Sequence, residues 1–160
     1  DLMSVVLGCH LVLPMLRGQG SGHIVNVASF AGMTPVPEVS AYATAKAAVV
    51  ALSEQLRVDL DGSGVGISVV CPAYVQTRLL DTFRSADPGH QKMARRWMER
   101  SGVSAEDVAE AVFRATERKQ FLVLTHRETR WLWRFRRWAP ERYFRTIVAA
   151  ARRMGERRKP

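Results

Sequence analysis

The sequence predicts an α/β fold built on a parallel sheet, and three observations carry that expectation. Short β-branched runs alternate with longer Ala- and Leu-rich stretches of helical spacing. The runs are apolar almost throughout, as in strands buried on both faces of a parallel sheet. Glycine clusters separate the two kinds of segment. The chain has 160 residues, 47% hydrophobic and 24% charged, which is enough apolar material for one core.

The elements follow in order. Leu2 to Leu16 is apolar and helical, with Pro14 near its end, and RGQGSG (Arg17 to Gly22) is a loop. HIVNVA (His23 to Ala28) is a buried strand, and Ser29 to Val39 is a loop containing Gly32, Pro35 and Pro37. Ser40 to Leu60 is Ala-rich and the most regular helix of the chain. DGSGVG (Asp61 to Gly66) is a turn leading to a second strand, Ile67 to Val70, and then to Cys71-Pro72. Thr77 to Arg100 is irregular or helical. Ser104 opens a further helix to about Arg118, with Glu106 and Asp107 at its positive end. FLVL (Phe121 to Leu124) is a third strand. A parallel sheet needs both faces covered and its edges managed, so three strands with such long helices read as part of a larger sheet. The chain begins on Asp1 rather than Met, with its first helix uncapped and already under way, so a fragment of a longer protein is expected.

The net charge of +9 invites a nucleic-acid reading, but its distribution argues against one. Residues 1–125 hold 12 Lys/Arg and 12 Asp/Glu, whereas residues 126–160 hold 12 Lys/Arg and 3 Glu. The surplus is confined to a tail. Cys9 and Cys71 sit in apolar surroundings and read as buried thiols of a reducing compartment, hence a cytoplasmic protein. His10, His23, His90 and His126 show no metal-ligand spacing, so no metal is expected. No uncharged apolar run reaches the roughly 18 residues that span a bilayer.

Tyr42 and Lys46 stand four apart on the regular helix, which puts both side chains on one face. A free tyrosine, with pKa about 10, is a poor proton donor or acceptor at neutral pH; a nearby ammonium favours the phenolate. The pair is therefore a sensible acid/base unit, although such pairs also arise by chance. Ser29 ends a strand thirteen residues before Tyr42, on the side where open α/β sheets place their ligands. Its hydroxyl can donate to an oxygen that gains charge.

IVNVAS, then Ala31-Gly32, then SAYATAKAA resembles the short-chain dehydrogenase/reductase family, which carries Ser, thirteen residues, Tyr-x-x-x-Lys at this point. Cys71-Pro72-Ala73-Tyr74-Val75-Gln76-Thr77 is similar to the Pro-Gly-x-Val-x-Thr stretch of that family, and Leu13-Pro14 also fits. The resemblance covers residues 1–125. It implies a partial Rossmann-type doubly wound parallel sheet, the second half of such a domain, followed by a helical C-terminal extension over 126–160. It also implies an NAD(P)-dependent oxidoreductase that interconverts an alcohol and a carbonyl. Tyr42 would be the proton donor or acceptor. Lys46 would lower the Tyr42 pKa and hold the nicotinamide ribose, and Ser29 would polarise the substrate oxygen. Tyr42, Lys46, Pro72, Val75 and Thr77 would face the cofactor, NAD or NADP. The first helix and the Ser40 to Leu60 helix resemble those that pair subunits in the family, so a homo-oligomer is expected.

Two departures stand out. Ala73 replaces the usual glycine, and Asp1 falls where the family often has an asparagine that supports a proton relay, so no relay role is carried onto Asp1. The glycine-rich phosphate turn between a strand and a helix is missing: Gly18 to Gly22 follows a helix and precedes a strand, and reads as a helix-ending turn. By itself this chain is expected to bind NAD(P) poorly and to be inactive. The alternative is a non-catalytic module that dimerises and reaches a membrane or partner through its tail.

In that tail, Trp131, Phe135 and Trp138 share one side of a helix, with Leu132 nearby, and Arg130, Arg134 and Arg137 cluster opposite. Pro140-Glu141 starts a second helix, striped by Tyr143, Phe144, Ile147, Val148, Ala151 and Met154. Packing on the body or a partner subunit, or lying in a membrane interface, both fit this pattern. Nucleic acid fits least, because no recognised motif accompanies the charge. Peripheral membrane attachment would suit a lipophilic alcohol or ketone substrate.

Overall fold

The computed structural model describes residues 2–37, 39–77 and 88–156. The elements are α1 (Leu2–Gln19), β1 (Gly22–Val27), a 3-10 turn (Phe30–Gly32), α2 (Ser40–Asp59), β2 (Val65–Val70), α3 (Pro88–Arg100), α4 (Ala105–Glu117), β3 (Leu122–Val123), α5 (Arg127–Trp138) and α6 (Pro140–Glu156). The strands form one sheet in the order β1-β2-β3, parallel throughout, with Gly22 opposite Val65 and Val70 opposite Val123. This is the expected α/β architecture.

Alternation along the strands decides which helix each residue meets. Val25, Val70 and Val123 face α4, where Val108, Ala111, Val112 and Ala115 cover them. Ile67 and Val69 face the other way, toward α1 and α2, and pack with Val49, Leu60, Leu13 and Leu16. Helices thus cover both faces. A polar relay ties the strands on the α4 side: the His23 ring nitrogen lies 2.8 Å from Ser68 Oγ, which donates to the Gln120 carbonyl at 2.7 Å. On the opposite face the buried Asn26 amide donates to Ser53 Oγ at 3.0 Å and its carbonyl accepts from the Cys9 thiol at 3.6 Å, joining β1 to α2 and α1. Cys9 and Cys71 are buried free thiols, and burial pushes Cys71 up to about 12.

Several boundaries differ from the expectation. α1 continues through Gln19, because the Arg17 guanidinium of its last turn donates to the Asp59 carbonyl. Gly20, at φ +66°, then closes the helix. β2 starts two residues earlier, at Val65, where it pairs with Gly22. α4 is capped as read: Ser104 Oγ accepts from the Asp107 N–H, and Asp107 accepts in return from the Ser104 N–H. With 18 residues of mean hydropathy 1.3, α1 is long and apolar enough to cross a membrane by length and composition alone. Here its Leu2, Val5, Leu13 and Leu16 pack on the core, while Met3, Leu7, Leu11 and Met15 form an exposed stripe.

The C-terminal helices pack back on the body. Leu132 and Trp133 join the core around Ala28, Phe30 and Leu124. The Arg136 guanidinium donates to the Met33 carbonyl, and Tyr143, fully buried, shares a hydrogen bond with Thr34. The inward side of α5 is therefore Thr129, Leu132, Trp133 and Arg136, leaving Trp131 and Trp138 at 63% and 89% exposure. Grouping the aromatic residues into one apolar side did not reveal this. The helix docks through one tryptophan, one leucine and the long stem of an arginine, and presents two other tryptophans outward.

Candidate functional site

The candidate residues gather where β1 and β2 end. Ser29 follows β1 with extended backbone (φ −161°, ψ 154°) and caps the 3-10 turn, its Oγ accepting from the Ala31 N–H at 3.2 Å. That bond uses an oxygen lone pair, so the hydroxyl proton keeps its donor role. The turn is pressed against α2: a Cβ on Gly32 would lie 2.6–2.8 Å from the backbone of Lys46 and Ala47. Only glycine allows this approach, which sets the Ser29 turn beside the helix that carries the other two candidates.

On α2, Tyr42 is 40% exposed and Lys46 is buried. The Lys46 ammonium donates to the Val27 carbonyl at 3.2 Å and lies 5.8 Å from the centroid of the Tyr42 ring. One cation is thus held between the end of β1, two residues before Ser29, and the phenol. The spacing of four delivers the two side chains to one face as expected.

The stretch after β2 is joined to the same place. The Phe30 N–H donates to the Pro72 carbonyl at 2.8 Å, and the Gln76 N–H donates to the Val103 carbonyl at 3.0 Å. Ala73 has no positive φ, so the methyl that replaces the usual glycine hydrogen is accommodated without backbone strain. Val75 is half-buried and Thr77 exposed. Asp1 and residues 78–87 lie outside the described residues, and with them the first part of the Thr77 to Arg100 stretch.

Two residues were missed by sequence reading. The Tyr74 ring packs on Trp97 of α3, with centroids 4.9 Å apart. Burial, and secondarily the nearby Tyr42, push the Tyr74 phenol up to about 12. His126, also buried, lies between Tyr74 and Thr125: Nε2 is 2.9 Å from the Tyr74 carbonyl and Nδ1 2.8 Å from Thr125 Oγ1. A carbonyl only accepts, so Nε2 carries a proton and donates to it. Tyr74, Trp97, Ser101 and His126 border a cavity of about 270 Å³. A histidine beside a strand end carries no spacing signal, so its place was readable only once β3 had been set next to β2.

Among the described residues no cluster of His, Cys, Asp or Glu could hold a metal ion. Nor does a glycine-rich turn join a strand to a following helix there. The donor set does fit one end of a nicotinamide dinucleotide: an ammonium and a phenol on one helix face suit ribose hydroxyls and a reacting oxygen.

Comparison with known proteins places these features in context. The family model for short chain dehydrogenase matches residues 1–88. The 2-(R)-hydroxypropyl-CoM dehydrogenase of Xanthobacter autotrophicus is 43% identical over 77 residues, covering 48% of this chain and 31% of that protein. The ketoacyl reductase HetN of a Nostoc species is 37% identical over 128 residues, 79% of this chain and 41% of its own length. Among solved structures, a short chain dehydrogenase/reductase from Burkholderia phymatum in complex with NAD superposes with a TM-score of 0.78 at 33% identity, over 88% of this chain and 56% of that one. The chain thus spans well under two thirds of the length of these relatives.

Proposed function

Since the chain belongs to the short-chain dehydrogenase family, we propose that the protein of which it forms the catalytic part interconverts an alcohol and a carbonyl with NAD or NADP. The observation that carries this reading is the placement of Lys46, bonded to the end of the Ser29 strand and 5.8 Å from the Tyr42 ring. The bound nicotinamide would supply or accept the hydride. Ser29 donates a hydrogen bond to the substrate oxygen and holds it at the sheet end. Tyr42 gives that oxygen a proton in reduction and takes it back in oxidation. Lys46 places positive charge beside the phenol and presents its amine to the ribose hydroxyls. Pro72, Val75 and Thr77 form the wall on the cofactor side.

The substrate is a small alcohol or ketone. The natural full-length protein, assayed with a ketone panel and each reduced cofactor, is expected to turn over at least one pair. Tyr42→Phe should lower turnover by roughly a thousandfold, in the range of general acid–base catalysis, with cofactor binding largely intact. Near-normal turnover in that variant would remove Tyr42 from the mechanism.

The same reading includes a homo-oligomer. Met3, Leu7, Leu11 and Met15 recur every four residues along α1 and stand 52–68% exposed, a continuous apolar stripe suited to a second copy of this chain.

A further inference from the structure

We propose that the outward side of α5 is a docking surface for an anionic phospholipid bilayer. Docking of α5 on the body fixes its orientation. Thr129, Leu132, Trp133 and Arg136 are turned inward: Thr129 is buried, Leu132 and Trp133 pack on the core, and Arg136 donates to the Met33 carbonyl. Arg127, Trp131, Arg134 and Trp138, spaced four, three and four residues apart, occupy the opposite side and are all exposed. Two indoles and two guanidinium groups thus alternate along three turns of one helix face. Indoles favour the boundary between headgroups and acyl chains, and guanidinium groups pair with phosphate.

The second helix of the hairpin adds exposed residues of the same two kinds. Phe144 and Val148 of α6 are also exposed, alongside Arg145 and Arg152. Two other cations of α5 are already engaged by rings, the exposed Arg137 lying 5.1 Å from the Trp133 ring centroid and the inward Arg136 5.9 Å from that of Phe144. Charge decides which partner fits. Residues 126–160 carry 12 Lys/Arg against 3 Glu, whereas residues 1–125 are balanced, so the attraction is local to this hairpin and directed at a negative surface. A second copy of the chain would bring the same excess charge to the interface and be repelled. A bilayer with anionic lipid offers both the charge and a depth for the indoles.

The test is co-sedimentation of the full chain with vesicles of phosphatidylcholine and phosphatidylserine, two to one, beside vesicles of phosphatidylcholine alone. Binding is expected to the anionic vesicles at low salt, to weaken as salt rises, and to blue-shift the tryptophan emission. Each basic residue near an anionic surface contributes roughly fivefold to partitioning, so Arg127→Gln with Arg134→Gln should weaken binding by about twenty-five-fold. Trp131→Ala with Trp138→Ala should weaken it by about tenfold or more while the chain stays folded, since both side chains are exposed and only the contact of Trp131 with Phe135 is lost. Absence of binding to the anionic vesicles, or equal binding by both double variants and the parent, overturns the proposal. So does a loss of self-association or of duplex DNA binding in these variants without any vesicle binding, which would assign the face to a second copy or to nucleic acid.

Discussion

A Cβ at position 32 would sit 2.6 Å from the Lys46 carbonyl carbon, and that clearance holds Ser29 beside the Tyr42/Lys46 helix. The atoms in the way are backbone, which cannot rotate aside. Gly32→Ala is therefore expected to destabilise the protein by about 1–3 kcal/mol, as overpacking does, and to lower kcat by moving the Ser29 turn off the helix. Urea denaturation and turnover of the purified variant read both effects; wild-type values for each would mean that the turn adapts freely. The shared face of Tyr42 and Lys46 was legible from their spacing of four, and the place of Ser29 from the strand end before it; their choice as candidates came from the family resemblance. Tyr74 and His126 were not legible, because their roles come from contacts between residues 52 apart in the chain. The importance of Gly32 is of the same kind, since its neighbour is a helix backbone fourteen residues on.

Periodicity settled the type of each element better than its ends. The three strands, their parallel sense and the Ser104 cap follow from apolar runs and capping chemistry. The extra turn of α1 does not, because it depends on Arg17 reaching the Asp59 carbonyl of another helix. Which side of α5 faces inward was equally hidden: the sequence offers aromatic residues on both sides, and only the shape of the body selects Trp133 over Trp131. The relay from His23 through Ser68 to Gln120 shows how elements are joined by a titratable group. Burial, and secondarily the charge of Lys119, hold His23 below its ordinary 6.5. Between the folded and ordinary values the unfolded chain binds the extra proton, so stability rises with pH across that window and is lost as pH falls below 6.5. The urea midpoint is expected to drop on going from neutral pH to about pH 5, and His23→Gln should flatten that dependence. A parent protein whose midpoint shows no such drop would mean that the ring stays accessible to protons in the folded state.

At the scale of the whole molecule, residues 126–156 are not an appendage. Leu132, Trp133 and Tyr143 complete the packing over the segment after Ser29, so the basic hairpin braces the candidate site as well as carrying the surplus charge. α1 lies at another margin with its stripe unpaired. Leu7→Glu with Leu11→Glu should convert a dimer or higher assembly to monomers in sedimentation velocity without unfolding the chain; an unchanged assembly would place the interface elsewhere. The central claim is that Tyr42 and Lys46 act as one unit at the end of the Ser29 strand. A double-mutant cycle on turnover at saturating cofactor tests it most directly. If the two residues form one unit, Tyr42→Phe combined with Lys46→Met costs about as much as Tyr42→Phe alone. Losses that multiply independently would show the two side chains to work separately, and would contradict the account.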